Sequence, residues 1–237
     1  MEPMRFLVTQ VESSNRVTGY LVSGKLMKDD SVVVTPSGHQ TSILEMQQGG
    51  AACTEAEAKT ELVLDLTYSV NMKPNDIIAA ADSRPEFSDQ FEAQIEWLSE
   101  RELLPGRTYM IKAIGGDSEA TVSRLKYRFD EQSGQQIAAK TLARNSSGVA
   151  NIALTRPIIY DSGSVCPATG TFSLFDKDTT ALVANGTIRH SLRRASNVHW
   201  QALDVDKQSR AAIKQQTPKI IWLTGLSGSG KSTIANL

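Results

Sequence analysis

No stretch of this 237-residue chain approaches the roughly 20 consecutive apolar residues of a membrane-spanning helix, so no membrane partner is expected. The opening residues, MEPMRFLVTQ, lack a basic region followed by an apolar one, and no secretory signal is visible. Neither sign of charge is in excess: 25 lysines and arginines face 26 aspartates and glutamates, a formal net charge of -1. A whole-chain attraction to DNA or to an anionic membrane is therefore not indicated. Cysteine is scarce. Cys53 and Cys166 lie far apart with no CxxC pair and no histidine cluster nearby, which argues against a disulfide framework or a zinc site. Both read as small buried or half-buried hydrophobes, and the expected compartment is the reducing cytoplasm. His39, His190 and His199 are scattered without metal-ligand spacing.

What is present is a globular composition, 40% hydrophobic and 22% charged, patterned mostly as strand. Phe91, Ala93, Ile95 and Trp97 alternate with Glu92, Gln94 and Glu96, giving a strand with one apolar and one polar face. Leu125, Tyr127 and Phe129 alternate with Arg124, Lys126 and Arg128 in the same way. Leu62, Leu64 and Leu66 repeat the period, as do Phe172 and Leu174. Turn signals such as Lys28-Asp29-Asp30, Pro36-Ser37-Gly38 and Ser133-Gly134 separate the runs. Many short strands with few long helical patterns indicate barrels or sandwiches. A proline-bearing polar stretch at residues 82–90 divides the strands into two units. After Ile188 the chain turns polar and charged. Residues 204–216 contain helix formers but only a thin apolar face, so this segment reads as a connector with room for a short helix.

Ile220, Ile221, Trp222 and Leu223 form a short apolar run that reads as a buried strand, and it leads directly into GLSGSGKS at residues 225–232. Strand, glycine-rich turn and helix start are the context of a phosphate-binding P-loop. Gly225, Leu226, Ser227, Gly228, Ser229, Gly230, Lys231, Ser232 and Thr233 are the candidate set for ATP phosphates. The glycines let backbone N–H groups curl toward phosphate oxygens, and the helix N-terminus adds its positive end. Lys231 is placed to reach the β- and γ-phosphates, and the Ser232 hydroxyl to ligate magnesium. Only five residues follow Ser232, too few for the neighbouring strands that a parallel sheet requires. The expectation is a truncated kinase start with no complete catalytic set in this chain.

Residues 196–211, SNVHWQALDVDKQSRA, followed by KIIWLTGLSGSGKSTIANL, resemble the fusion junction of bifunctional sulfate-activation enzymes. In that family a GTPase-type large subunit of sulfate adenylyltransferase continues into an adenylyl-sulfate kinase. Asn197, Val198, His199, Trp200 and Gln201, with residues 225–236, carry the most specific part of the likeness. The upstream strands resemble the two β-barrels of elongation factor Tu relatives. Gly19-Tyr20, Ser23-Gly24 and the Lys28-Asp29-Asp30 turn fit the first; residues 91–97, Pro105-Gly106 and residues 171–188 fit the second. Relatives usually carry Ala-Gly where this chain has Asn185-Gly186.

The resemblance implies a mainly β fold: two consecutive antiparallel barrels at residues 1–85 and 89–195, a linker at 196–218, and the start of an α/β P-loop kinase domain at 219–237. It implies ATP with magnesium at the P-loop, GTP in an upstream domain that this chain does not include, and a small catalytic subunit as partner. ATP and adenylyl sulfate are the implied kinase substrates and 3′-phosphoadenylyl sulfate the product, with this chain inactive alone. The alternative is a translation-factor-like barrel module that docks RNA or protein and has no enzymatic activity. A P-loop placed after the barrels speaks against it, because a translation GTPase carries its P-loop before them.

The remaining polar residues have plainer readings. His39 follows Gly38 as an exposed loop residue, and His199 beside Trp200 reads as packing. Arg189, Arg193 and Arg194 form a basic cluster that reads as a solvated charge run. Asp176 and Asp178 read as hairpin-turn chemistry. No nucleophile–base–orienter set emerges from the strands.

Overall fold

A computed structural model describes residues 2–130 and 132–192 of the chain. The first nine strands are β1 (Arg5–Ser13), β2 (Arg16–Ser23), β3 (Lys25–Met27), β4 (Ser31–Thr35), β5 (Gln40–Gln48), β6 (Ala51–Cys53), β7 (Glu55–Glu57), β8 (Thr60–Leu66) and β9 (Ile77–Ala80). β4, β9, β1, β2, β8 and β5 are neighbours in that order, and β4 also pairs with β5. Six antiparallel strands thus close on themselves, which removes the exposed edges of an open sheet. β6 extends β5 outside the ring, and β3 and β7 pair with each other. Leu62, Leu64 and Leu66 all face the interior, where they meet Phe6, Val8, Leu21, Val34 and Ile78. A period of two on closed strands leaves one place for these side chains, the inside of the barrel.

The second set comprises β10 (Glu86–Trp97), β11 (Thr108–Ala113), β12 (Gly116–Phe129), β13 (Gln136–Ile137), β14 (Ser147–Tyr160), a one-turn helix α1 (Pro167–Gly170), β15 (Thr171–Asp176) and β16 (Leu182–Ser191). β11, β15, β16, β10, β14 and β12 follow one another, and β11 pairs back to β12, so this sheet closes as well. Phe91, Ala93, Ile95 and Trp97 fill its centre as their alternation predicts. Phe91 meets Tyr160 edge-on at a centroid distance of 5.2 Å, and Trp97 meets Tyr109 at 5.6 Å. The architecture is the expected pair of antiparallel barrels.

One expectation about faces is corrected. Leu125 pairs with Ala150 and joins the core, but a bulge at Lys126 lets Tyr127 pair with Val149. Ala150 and Ile152 face the core, so Val149 takes the opposite face, where it is still buried, and the half-buried Tyr127 shares that face. Phe129 packs edge-on against Tyr127 there, at 5.5 Å. One extra residue in a strand reverses every face beyond it.

The two barrels meet through a buried ion pair. Arg5 of β1 donates from Nε and Nη2 to the two carboxylate oxygens of Asp161, each at 2.8 Å. Its Nη1 donates to the Met4 carbonyl, and the Thr169 hydroxyl donates to Asp161 Oδ2 at 2.6 Å. The Cys166 thiol donates to Ser23 Oγ at 3.2 Å. Both cysteines are free, Cys166 buried and Cys53 half-buried, as their scarcity implied.

Candidate functional site on the second barrel

The phosphate-binding set read from the sequence, Gly225, Leu226, Ser227, Gly228, Ser229, Gly230, Lys231, Ser232 and Thr233, lies outside the described residues. So do the linker at 196–218, Arg193, Arg194 and His199. Among the described residues two polar features, a cleft and a buried carboxylate, share the outer face of β10 and β16.

At one end of that face is an open cleft of about 660 Å³. Strand register builds it from two cross-strand rows. Glu96 of β10 lies beside Asn185 of β16, then Ser173 of β15, then Lys112 of β11. The next row is Gln94, Thr187 and Thr171. Ser173 Oγ donates to Asn185 Oδ1 at 3.0 Å, and the Lys112 ammonium sits 5.1 Å from the Phe175 ring centroid. Gly186 lies under the cleft because nothing larger fits: a Cβ there would come within 2.1 Å of the Phe172 ring.

At the other end, alternation places Glu92 on the polar outer face, yet Glu92 is only 4% exposed. It is covered by basic side chains from β12 and β16. Lys126 Nζ donates to its Oε2, Arg189 Nη1 lies 3.1 Å from Oε1, and His190 Nε2 lies 4.0 Å from Oε2. Arg189 also donates to the Tyr127 hydroxyl at 3.0 Å. A register shift in β16 opposite Glu92 brings the adjacent residues Arg189 and His190 both within reach. His190, Glu92, Asn151 and Arg124 form one row across β16, β10, β14 and β12. Burial pushes the Glu92 carboxyl up, but its hydrogen bond and charge interaction with Lys126, then His190 and Arg189, outweigh this and hold it below its ordinary range.

Arg189 is exposed, as a solvated charge would be, and it is also the second clamp on a buried carboxylate. Sequence alone offered a weak signal for this, an acidic residue in a strand with basic residues in two others, and only the register joins them. Asp176 does serve the hairpin, its Oδ1 accepting from the Asp178 and Thr179 amides while Oδ2 accepts from Arg107 Nη2 at 2.7 Å. Those amide bonds, partly offset by burial, hold its carboxyl below the usual range. His39 is exposed. Among the described residues no group of histidine, cysteine and carboxylate side chains is arranged to hold a metal ion.

Residues 90–189 match the model of the family described as GTP-eEF1A C-terminal domain-like. A bifunctional enzyme NodQ from Rhizobium sp. (strain N33) is 41% identical over 99% of this chain and 37% of its own length. A bifunctional enzyme CysN/CysC from Xylella fastidiosa is 39% identical over 93% of this chain and 35% of its length. The chain thus spans little more than a third of the curated relatives it matches. Among solved structures, Sup35 complexed with GDP aligns with a TM-score of 0.67 over 81% of this chain and 48% of its own, at 15% identity. Translation elongation factor SelB from Methanococcus maripaludis aligns at 0.64 over 82% and 44%, also at 15%. At that identity the two structures speak for the fold alone.

Proposed function

We propose that this chain, a member of the family of NodQ and CysN/CysC bifunctional enzymes, is the barrel portion and kinase start of a sulfate-activating enzyme. In this reading residues 1–85 and 89–195 are the two barrels of a sulfate adenylyltransferase large subunit. Residues 196–218 link them to an adenylyl-sulfate kinase that begins at 219. The observation that carries the reading is continuity: similarity to NodQ runs over 99% of this chain, through barrels, connector and GLSGSGKS alike. The complete protein would bind GTP in a domain upstream of the barrels, pair with a small catalytic subunit, and work in the cytoplasm.

At the kinase end, residues 225–233 would hold the ATP phosphates. Magnesium, when bound at the Ser232 hydroxyl, supplies charge neutralisation on the transferring phosphoryl group. Backbone N–H groups of the glycine-rich turn orient the phosphates. Lys231 sets a positive charge against the β- and γ-oxygens, where negative charge is held as the phosphoryl group moves to the 3′-hydroxyl of adenylyl sulfate. The test is to extend the chain with its downstream coding sequence and measure conversion of ATP and adenylyl sulfate to 3′-phosphoadenylyl sulfate. Lys231→Ala in that protein should lower turnover at least about a hundredfold, with unchanged circular dichroism. Near-normal turnover with alanine at 231 would remove the basis of the proposal.

A further inference from the structure

We infer that the outer face of the second barrel along β10 and β16 binds an extended segment of a partner protein, with carboxylates at the end that lies over Lys126 and Arg189. Two separate features point to this occupant. The first is a pair of cations fixed in advance. Glu92 holds Lys126 and Arg189 together from below, so two long side chains have already lost their rotamer freedom before a ligand arrives. Arg124 stands in the same cross-strand row, and three cations against one carboxylate leave the cluster positive. Tyr127, bonded to Arg189, adds the aromatic–arginine combination that is enriched at protein interfaces.

The second feature is the continuity of this cluster with the cleft. The outward residues of β10 are Glu92, Gln94 and Glu96, and the last two line the cleft. Four residues of strand span about 13 Å, the length of a short extended peptide. Along that track Gln94, Thr187 and Asn185 offer hydrogen-bonding groups. Glu96 and Lys112 stand at opposite ends of the last row, neither ion-paired among the described residues. A nucleic-acid strand fits this pattern poorly. It carries a phosphate at every nucleotide and would set one against Glu96, while the net charge of -1 offers no wider attraction. A polypeptide concentrates its acidic residues at one end and meets Glu96 with a basic side chain.

The experiment titrates the isotope-labelled full chain with a short synthetic peptide, a run of glutamates followed by serines and a terminal lysine. A uridine oligonucleotide of equal charge and inorganic phosphate are titrated in parallel at the same salt. Saturable amide shifts confined to β10, β16 and their neighbours are expected with the peptide. Arg124→Ala with Arg189→Ala should weaken binding about tenfold, and Arg124→Ala alone, at an exposed position with no ion pair among the described residues, should weaken it with an unchanged melting profile. Glu92→Gln separates pre-ordering from simple charge. It removes a negative charge yet should also weaken the peptide, because Lys126 and Arg189 lose their clamp. Tighter binding by Glu92→Gln, stronger binding of the oligonucleotide or of phosphate, shifts elsewhere on the molecule, or no saturable binding would each overturn the inference.

Discussion

Removing the Asp161 carboxylate should be among the most damaging single changes available outside the two barrel cores. Arg5 and Asp161 expose 1% and 6% of their side chains, so water is not at hand to replace the two 2.8 Å bonds between them. Asp161→Ala would leave a buried guanidinium whose only remaining acceptor among the described residues is the Met4 carbonyl. Breaking a buried pair from one side costs about 3–5 kcal/mol. The Thr169 hydroxyl also loses its acceptor, which adds about 1 kcal/mol. Against a stability of about 5–15 kcal/mol for a typical domain, that is a large share. Urea denaturation followed by circular dichroism should show a lowered midpoint. Amide exchange should rise first in β1 and in residues 161–170, on the two sides of the contact. The double change Arg5→Met with Asp161→Leu, which leaves no orphaned charge, should return stability to within about 1 kcal/mol of the parent. A cost below about 1 kcal/mol for Asp161→Ala, or a double variant no better than the single one, would refute the idea that desolvated charge governs this contact.

Three further outcomes are expected. Gly186→Ala should lose about 1–3 kcal/mol in urea titrations, since its Cβ would sit 2.1 Å from the buried Phe172 ring; no loss would mean the ring has room to move. The Glu92 carboxyl is held below its ordinary range, so its stabilising contribution is full above that range and fades as pH falls through its lowered pKa. The parent should accordingly melt higher than Glu92→Gln at neutral pH, with the gap closing in acid, and a gap independent of pH would contradict the assignment. Deleting residues 217–237 should leave the unfolding midpoint of the barrels unchanged, because among the described residues both cores draw on none later than Ile188; a large fall would show that the tail contributes to them.

Much of the fold is written in local pattern. Leu62, Leu64 and Leu66, and the alternation from Phe91 to Trp97, specify strand and interior face at once, because the side-chain period of a strand is two and an apolar row has one favourable side. The Asp176 turn is equally local, since its acceptor and the amides it satisfies lie within a few residues. Phosphate binding at 225–232 is proposed from sequence alone, because a glycine-rich turn before lysine and serine has few other uses. Tertiary structure decided the rest. The bulge that turns Tyr127 outward, the register that sets Glu92 beside Lys126 and Arg189, and the joining of Arg5 to Asp161 across 156 positions depend on which strands become neighbours. Barrel closure makes that choice, and a single-residue slip in any strand would exchange its inner and outer faces. Local sequence therefore states which side chains seek the interior, while the polar contacts on the outside exist only once the strands are paired.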